Sequence, residues 1–208
     1  MNVKKLVRKV NIVYHCSRNL TPENTITMDK PNSISYILHS GGAQGADSEW
    51  ARQGAPYGIV PRHYWHRRRT PFGNTEISEA DFDEGVRHVL QANLTLHRRP
   101  GRHLDLLARN WCQVKYSEAL FAIGRLKGGI VQGGTAWAVQ MALDAGKAVY
   151  LFDQTSERWL TFRDAQWRPC PLPVLTHHFA GIGSRVITPA GIRAIADVYR
   201  NTFRDKTF

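Results

Sequence analysis

Acidic residues are scarce in this chain of 208 residues: 17 Asp and Glu stand against 28 Lys and Arg, a formal charge of +11. A surplus of that sign points to an anionic partner, whether nucleotide phosphate, nucleic acid or an acidic surface, with solubility as the plain alternative. Cysteine is scarcer still. Cys16, Cys112 and Cys170 are widely and irregularly spaced, which excludes a metal-ligand run and an even disulfide framework and fits a reducing compartment. No apolar run reaches the roughly 18 residues of a membrane helix, and the N-terminal MNVKKLVRKV is too poor in apolar residues for a signal peptide. A soluble, cytoplasmic protein without membrane contact is expected. Two nucleotide signatures are also missing: there is no G-x-G-x-x-G, and no P-loop ending in Gly-Lys-Ser/Thr, so P-loop ATP hydrolysis has no support.

What is present alternates. The 42% hydrophobic content suffices for one core, and a single domain over residues 1–208 is expected. Short apolar runs bounded by turn formers read as strands: SYILHS, GIVPRHYW with Pro61 demoting it toward an edge or strand end, LFAIGRL, KAVYLFDQ and THHFAGIG. Between them lie helical patterns beginning near Ala43 to Asp47, over LDLLARNWCQVKYSEA and AWAVQMALDAG, and over PAGIRAIADVYRNTF with Ile192, Ile195, Ala196 and Tyr199 on one face. This alternation predicts an α/β fold with a mainly parallel sheet. Residues of about 66–103 read as an inserted basic and helical excursion, GGIVQGGT as a loop, and 155–177 as a surface connector with little periodicity.

Three glycine-bearing loops each leave a strand and enter a helix. They are Ser40-Gly41-Gly42-Ala43-Gln44-Gly45-Ala46-Asp47, Gly133-Gly134-Thr135, and Gly181-Ile182-Gly183-Ser184-Arg185. In a parallel sheet such loops gather at the strands' carboxyl edge, where helix N-termini present N–H groups and partial positive charge. Glycine allows close backbone approach, Ser40, Thr135 and Ser184 supply hydroxyls, and Arg185 supplies a charged fork. Asp47 suits a helix first turn or a ribose hydroxyl. Neither Ser40 nor Ser184 has an evident His/Asp partner for nucleophilic catalysis, and His63-x-x-His66 lacks a third zinc ligand. No cofactor or metal is expected.

The segments HSGGAQGADSEWARQGA, LLARNW, GGTAWAVQMALDAGKAVYLF and FAGIGSRVITP resemble the Rossmann-like SLOG superfamily. That superfamily includes phosphoribohydrolases of the lonely-guy type, the DNA-processing protein of natural transformation, and phage and bacterial members. The resemblance covers about residues 34–65 and 104–203, and SGGAQGAD and GIGSR are its most specific parts. In those relatives the GIGSR unit precedes the SGGAQGAD unit. The reversed order here implies a Rossmann-like sheet with helices on both faces, circularly permuted so that the usual first β-α unit is C-terminal. A Ser-Arg-x-Leu-Thr-Pro echo within Tyr14 to Asn24 is a candidate remnant of that unit, or coincidence.

The resemblance also implies chemistry. The hydrolase members carry an Arg on the helix before a strand, a place taken here by Arg109, and then a Gly-Gly-x-Gly-Thr-x-x-Glu loop. Three positions past Thr135 stands Ala138, with the non-ionisable Gln140 nearby. Breaking a glycosidic C–N bond calls for a carboxylate to steady a cation-like sugar or activate water. Its loss favours binding without turnover, with Asp47, Glu49 and Arg109 as the only catalytic candidates. Three functions are therefore carried forward. The first is a nucleotide-derived ligand held as a sensor, sequestering or signalling protein. The second is an N-glycoside hydrolase of the phosphoribohydrolase kind. The third is a single-stranded nucleic-acid binder using Arg67, Arg68, Arg69, Arg98 and Arg99 with the aromatics Tyr64, Trp65 and Phe72, unless the same arginines lean over the sheet edge to the phosphates of a small nucleotide. A homo-oligomer is expected by the resemblance.

Overall fold

The computed structural model describes residues 35–67, 69 and 71–204. The Tyr14 to Asn24 echo and Arg68 lie outside the described residues. In chain order the elements are β1 (Ile37–Ser40), α1 (Ala46–Gly54), β2 (Val60–Trp65), β3 (Thr75–Glu76), α2 (Glu79–Leu96), α3 (Leu104–Ala108), α4 (Asn110–Lys115) and β4 (Ala119–Gly124). Then come β5 (Leu126–Lys127), β6 (Ile130–Val131), α5 (Thr135–Asp144), β7 (Ala148–Asp153), β8 (Arg158–Arg163), β9 (Gln166–Pro169), β10 (His178–Gly183) and α6 (Pro189–Thr202).

Eight strands form one mixed sheet in the order β3-β2-β1-β10-β4-β7-β8-β9. All pairs from β3 to β7 are parallel, and the last two are antiparallel. The C-terminal strand β10 thus sits in the middle, with Leu38 opposite Phe179 on one side and Phe121 opposite Gly181 on the other. All six residues of β4 are buried, as a parallel strand covered on both faces requires.

The period of two along the strands divides the core. Leu38, Phe121, Ile123, Phe152 and Phe179 face α1 and α6. Leu120, Ala122, Val149, Leu151, Ala180 and Ile182 face α2 to α5. Phe82, Val89, Ala92 and Leu96 of α2 belong to that second core, so the stretch expected as an excursion builds a helical layer and, through β3, a sheet edge. Among the described residues no helix is long and apolar enough to cross a membrane.

Pro61 is tolerated because β3 pairs only with Tyr64 and Trp65, leaving Pro61 on an open edge. The buried seam of α6 is Ala190, Ala194, Ile195, Val198 and Tyr199, while Ile192 is exposed. The helix is therefore turned from the expected face. Its phase is set by Thr188, whose side chain accepts from Gly191 N, and by Tyr199, whose hydroxyl donates to Trp50 O at 2.7 Å. The expected connector holds the β8–β9 hairpin, and the expected GGIVQGGT loop holds β6, paired antiparallel with β5. The β8–β9 turn is Asp164-Ala165 with φ of 50° and 57°. A two-residue turn of that hand is announced by Asn-Gly or Asp-Gly, and Asp-Ala does not announce it.

Candidate anion-binding cavity

The loops after β1 and β10 meet through one carboxylate. Asp47, in the first turn of α1, accepts from Gly41 N at 3.1 Å, Ala43 N at 3.4 Å and Gly183 N at 3.1 Å. Ala46 N donates to Ser184 O at 3.0 Å, and Gly42 N donates to Ser40 Oγ. The backbone donors that the glycine loop was expected to offer a phosphate are thus taken by the chain's own anion. Burial pushes the Asp47 carboxyl above its ordinary value, against the pull of Arg109 and the N–H groups of Ala43, Gly183 and Gly41.

Two glycines make this junction possible by close approach. A Cβ on Gly45, where φ is 104°, would lie 2.4 Å from Arg185 O, and one on Gly183 would lie 2.3 Å from Ile123 O. The β10–α6 loop is also held from the other side. Thr188 N donates to Gln154 Oε1 at 2.6 Å, and Gln154 Nε2 donates to Val186 O. The Ser184 to Thr188 segment is thereby built rigidly over the ends of β4 and β7.

Beside the junction opens a cavity of about 600 Å³ at the carboxyl ends of β10 and β4. Its wall carries Asp47, Arg99, Arg109, Arg125, Thr135, Ser184 and Arg185, with Leu107, Trp137, Ala138 and Ile182 as apolar surface. Arg109, at the α3–α4 junction, is only 7% exposed. Its Nη1 donates to Tyr64 O at 3.2 Å, while its buried Nε has no partner among the described residues. Burial lowers its basicity, Asp47 raises it and Arg185 lowers it again. A guanidinium nonetheless stays charged at neutral pH.

The third loop delivers the N-terminus of α5. Elsewhere the long helices satisfy their first turns internally: α1 has Asp47 and Glu49, α2 has Ser78 with Glu79 and Asp81, and α6 has Thr188. The first turn of α5 has neither a side-chain cap nor an acidic residue, and Gly133, Gly134 and Thr135 line the cavity. Its partial positive charge is left for something from outside.

Of the expected ligand-binding residues, Asp47, Arg109, Gly133, Gly134, Thr135, Gly183, Ser184 and Arg185 line this cavity. Ser40, Gly41, Gly42 and Gly45 build the junction behind it. Gln44 is exposed and is not part of the wall. Gly181 is packed inside the sheet, where a Cβ would meet Leu38 and Trp50. Glu49 binds Arg52 and Gln53 and is not part of the cavity wall. Ala138 lines the cavity where the glutamate was expected, and Gln140 bonds Asp144 instead.

Sequence reasoning missed Arg125, whose only signal is its position immediately after β4. By sequence, the run holding Arg98 and Arg99 reads as a nucleic-acid surface or as arginines leaning over the sheet edge toward a nucleotide phosphate; Arg99 lines the cavity and its neighbour Arg98 donates to Gly133 O. The other basic run is engaged locally: Arg67 pairs with Glu79 and lies over Phe82, and Arg69 donates to Gly73 O. Tyr64 is buried against His39, so it offers no surface for a stacked base. His66 stacks on Phe82 and contacts Glu79, and the described residues hold no cluster suited to a metal ion.

The site defines an α/β protein with a basic cavity at the carboxyl edge of a mostly parallel sheet. No family model matches the chain, and neither the curated proteins nor the solved structures searched include a match.

Proposed function

We propose that this protein binds a nucleotide-derived anionic ligand in the cavity and holds it without turnover, as a sensor, sequestering or signalling protein. The observation that carries the reading is the shared cavity of a buried, partly unpartnered Arg109 and the uncapped first turn of α5. Both border one volume, and that volume is within the size range of small-molecule sites.

Topology supports the same reading. With the β10–α6 unit counted first, the strands β2-β1-β10-β4-β7 read 3-2-1-4-5, the order of a doubly wound nucleotide-binding sheet. The cavity then lies at the point where that order reverses. This order favours a Rossmann-like domain of the SLOG type, circularly permuted, as the resemblance of GIGSR and SGGAQGAD implies. The absence of a carboxylate at Ala138 favours binding over N-glycoside hydrolysis.

The direct test is mass spectrometry of small molecules released from the purified protein, together with thermal shifts across a nucleotide panel. The expected result is a phosphorylated nucleoside species, with a stabilising shift that Arg109→Ala abolishes. An empty protein showing no shift with any nucleotide would overturn the proposal.

A further inference from the structure

Resting on the nucleotide reading above, we infer that the ligand carries a chain of at least two linked phosphoryl groups, as in a nucleoside di- or triphosphate, and not a single phosphate. Four arginines line one cavity from four separate parts of the chain: Arg99 after α2, Arg109 between α3 and α4, Arg125 after β4 and Arg185 after β10. None of the four is in direct ion-pair contact with a carboxylate among the described residues, Arg109 feeling Asp47 only at longer range, whereas Arg52, Arg67, Arg168 and Arg200 elsewhere form such pairs. Among the described residues the only acid in the wall is Asp47, and its oxygens are already held by three backbone N–H groups. Four cations and one anion leave a surplus of about three positive charges around one cavity, where like charges repel.

A phosphate monoester brings about −1.5 to −2 at neutral pH, which leaves the wall under-neutralised. Each further phosphoryl group adds about one more charge and moves it along a chain. Geometry points the same way. One phosphate docked on the α5 N-terminus fills a small part of about 600 Å³, while the arginines reach the wall from four separate parts of the chain. A phosphoanhydride chain running from Thr135 toward Arg109 and Arg185 can, while Leu107, Trp137 and Ile182 leave apolar wall for a base or ribose.

The test is calorimetric titration of the full chain with AMP, ADP and ATP, at fixed ionic strength and with EDTA so that magnesium does not neutralise the chain. The expected result is affinity rising about tenfold with each added phosphate, as one charge-assisted hydrogen bond per step provides. In Arg99→Ala/Arg125→Ala, both positions being exposed and safe for folding, the ratio of AMP to ATP dissociation constants falls about tenfold, Arg109 and Arg185 still rewarding the added phosphates. AMP binding as tightly as ATP, or a ratio unmoved by the double variant, would overturn the inference while leaving a nucleotide site intact. Failure of all three to bind, with no nucleotide released from the protein, would instead sink the underlying reading.

Discussion

Asp47 Oδ1 accepts a 3.1 Å hydrogen bond from the backbone N–H of Gly183, a residue 136 positions away. The same carboxylate holds Gly41 N and Ala43 N, so one side chain fastens the loop after the first described strand to the loop after the last. Aspartate at this place is held by the chain's own backbone donors, so the anion proposed above would take the neighbouring cavity instead. Asp47→Asn keeps one acceptor oxygen but turns an amide donor toward backbone donors. An unmet buried N–H costs about 1–3 kcal/mol, so a loss of roughly 2–3 kcal/mol in urea unfolding is expected. An Asn variant as stable as the parent would show that the junction does not depend on the carboxylate.

How much of this was legible beforehand depends on what each signal measures. Strand-to-helix glycine loops are a local pattern, and all three lie where the topology sends them. Which partner their N–H groups take is a tertiary fact. SGGAQGAD reads equally well with the aspartate folded back on its own loop or with a phosphate in its place. Arg125 was invisible for a related reason, since a lone arginine past a strand acquires meaning only when β10 and α5 close around it. The β8–β9 hairpin was hidden because Asp164 and Ala165 adopt positive φ without the glycine that advertises it.

Stability depends on His39, which is 2% exposed in β1. Its Nδ1 contacts the Tyr64 hydroxyl at 2.8 Å and its Nε2 contacts His178 Nδ1 at 3.2 Å. Burial, then His178, Arg62 and Lys147, bring its pKa down to about 4. Between that value and the unfolded value near 6.5, the unfolded chain holds the extra proton, so stability rises with pH. Acidification through this window is expected to remove about 3 kcal/mol. His63 and His88, also lowered by burial, act in the same direction, and Asp47, raised by burial, opposes them at the acid end. Chemical unfolding at several pH values should show a shallower slope in His39→Gln, and an unchanged slope would rule out His39 as the source.

Ala138 decides between holding and cleaving. It lines the cavity, and among the described residues no carboxylate but the engaged Asp47 does so. With no group to stabilise a glycosyl cation or activate water, incubation of the protein with nucleoside monophosphates and NAD should yield no free base by chromatography. Base released in proportion to protein, and lost in Arg109→Ala, would reassign the cavity to a hydrolase.

The α5 N-terminus offers a change whose effects on folding and binding have opposite signs. Gly134 has φ of −67° and ψ of −26°, and a Cβ there meets nothing within 4 Å, so Gly134→Asp introduces neither strain nor clash. The new carboxylate sits at the first turn of the one long helix without a cap or an acid, where a negative charge is worth about 0.3–1 kcal/mol to the helix. The unliganded protein should therefore unfold at the same temperature or slightly higher. The same charge occupies the field that the ligand phosphate needs and repels it, so nucleotide affinity should fall about tenfold or more. Stability retained together with binding lost locates the anion at α5. If Gly134→Asp binds as the parent does, the uncapped turn faces solvent alone, and the four arginines must hold the ligand without it.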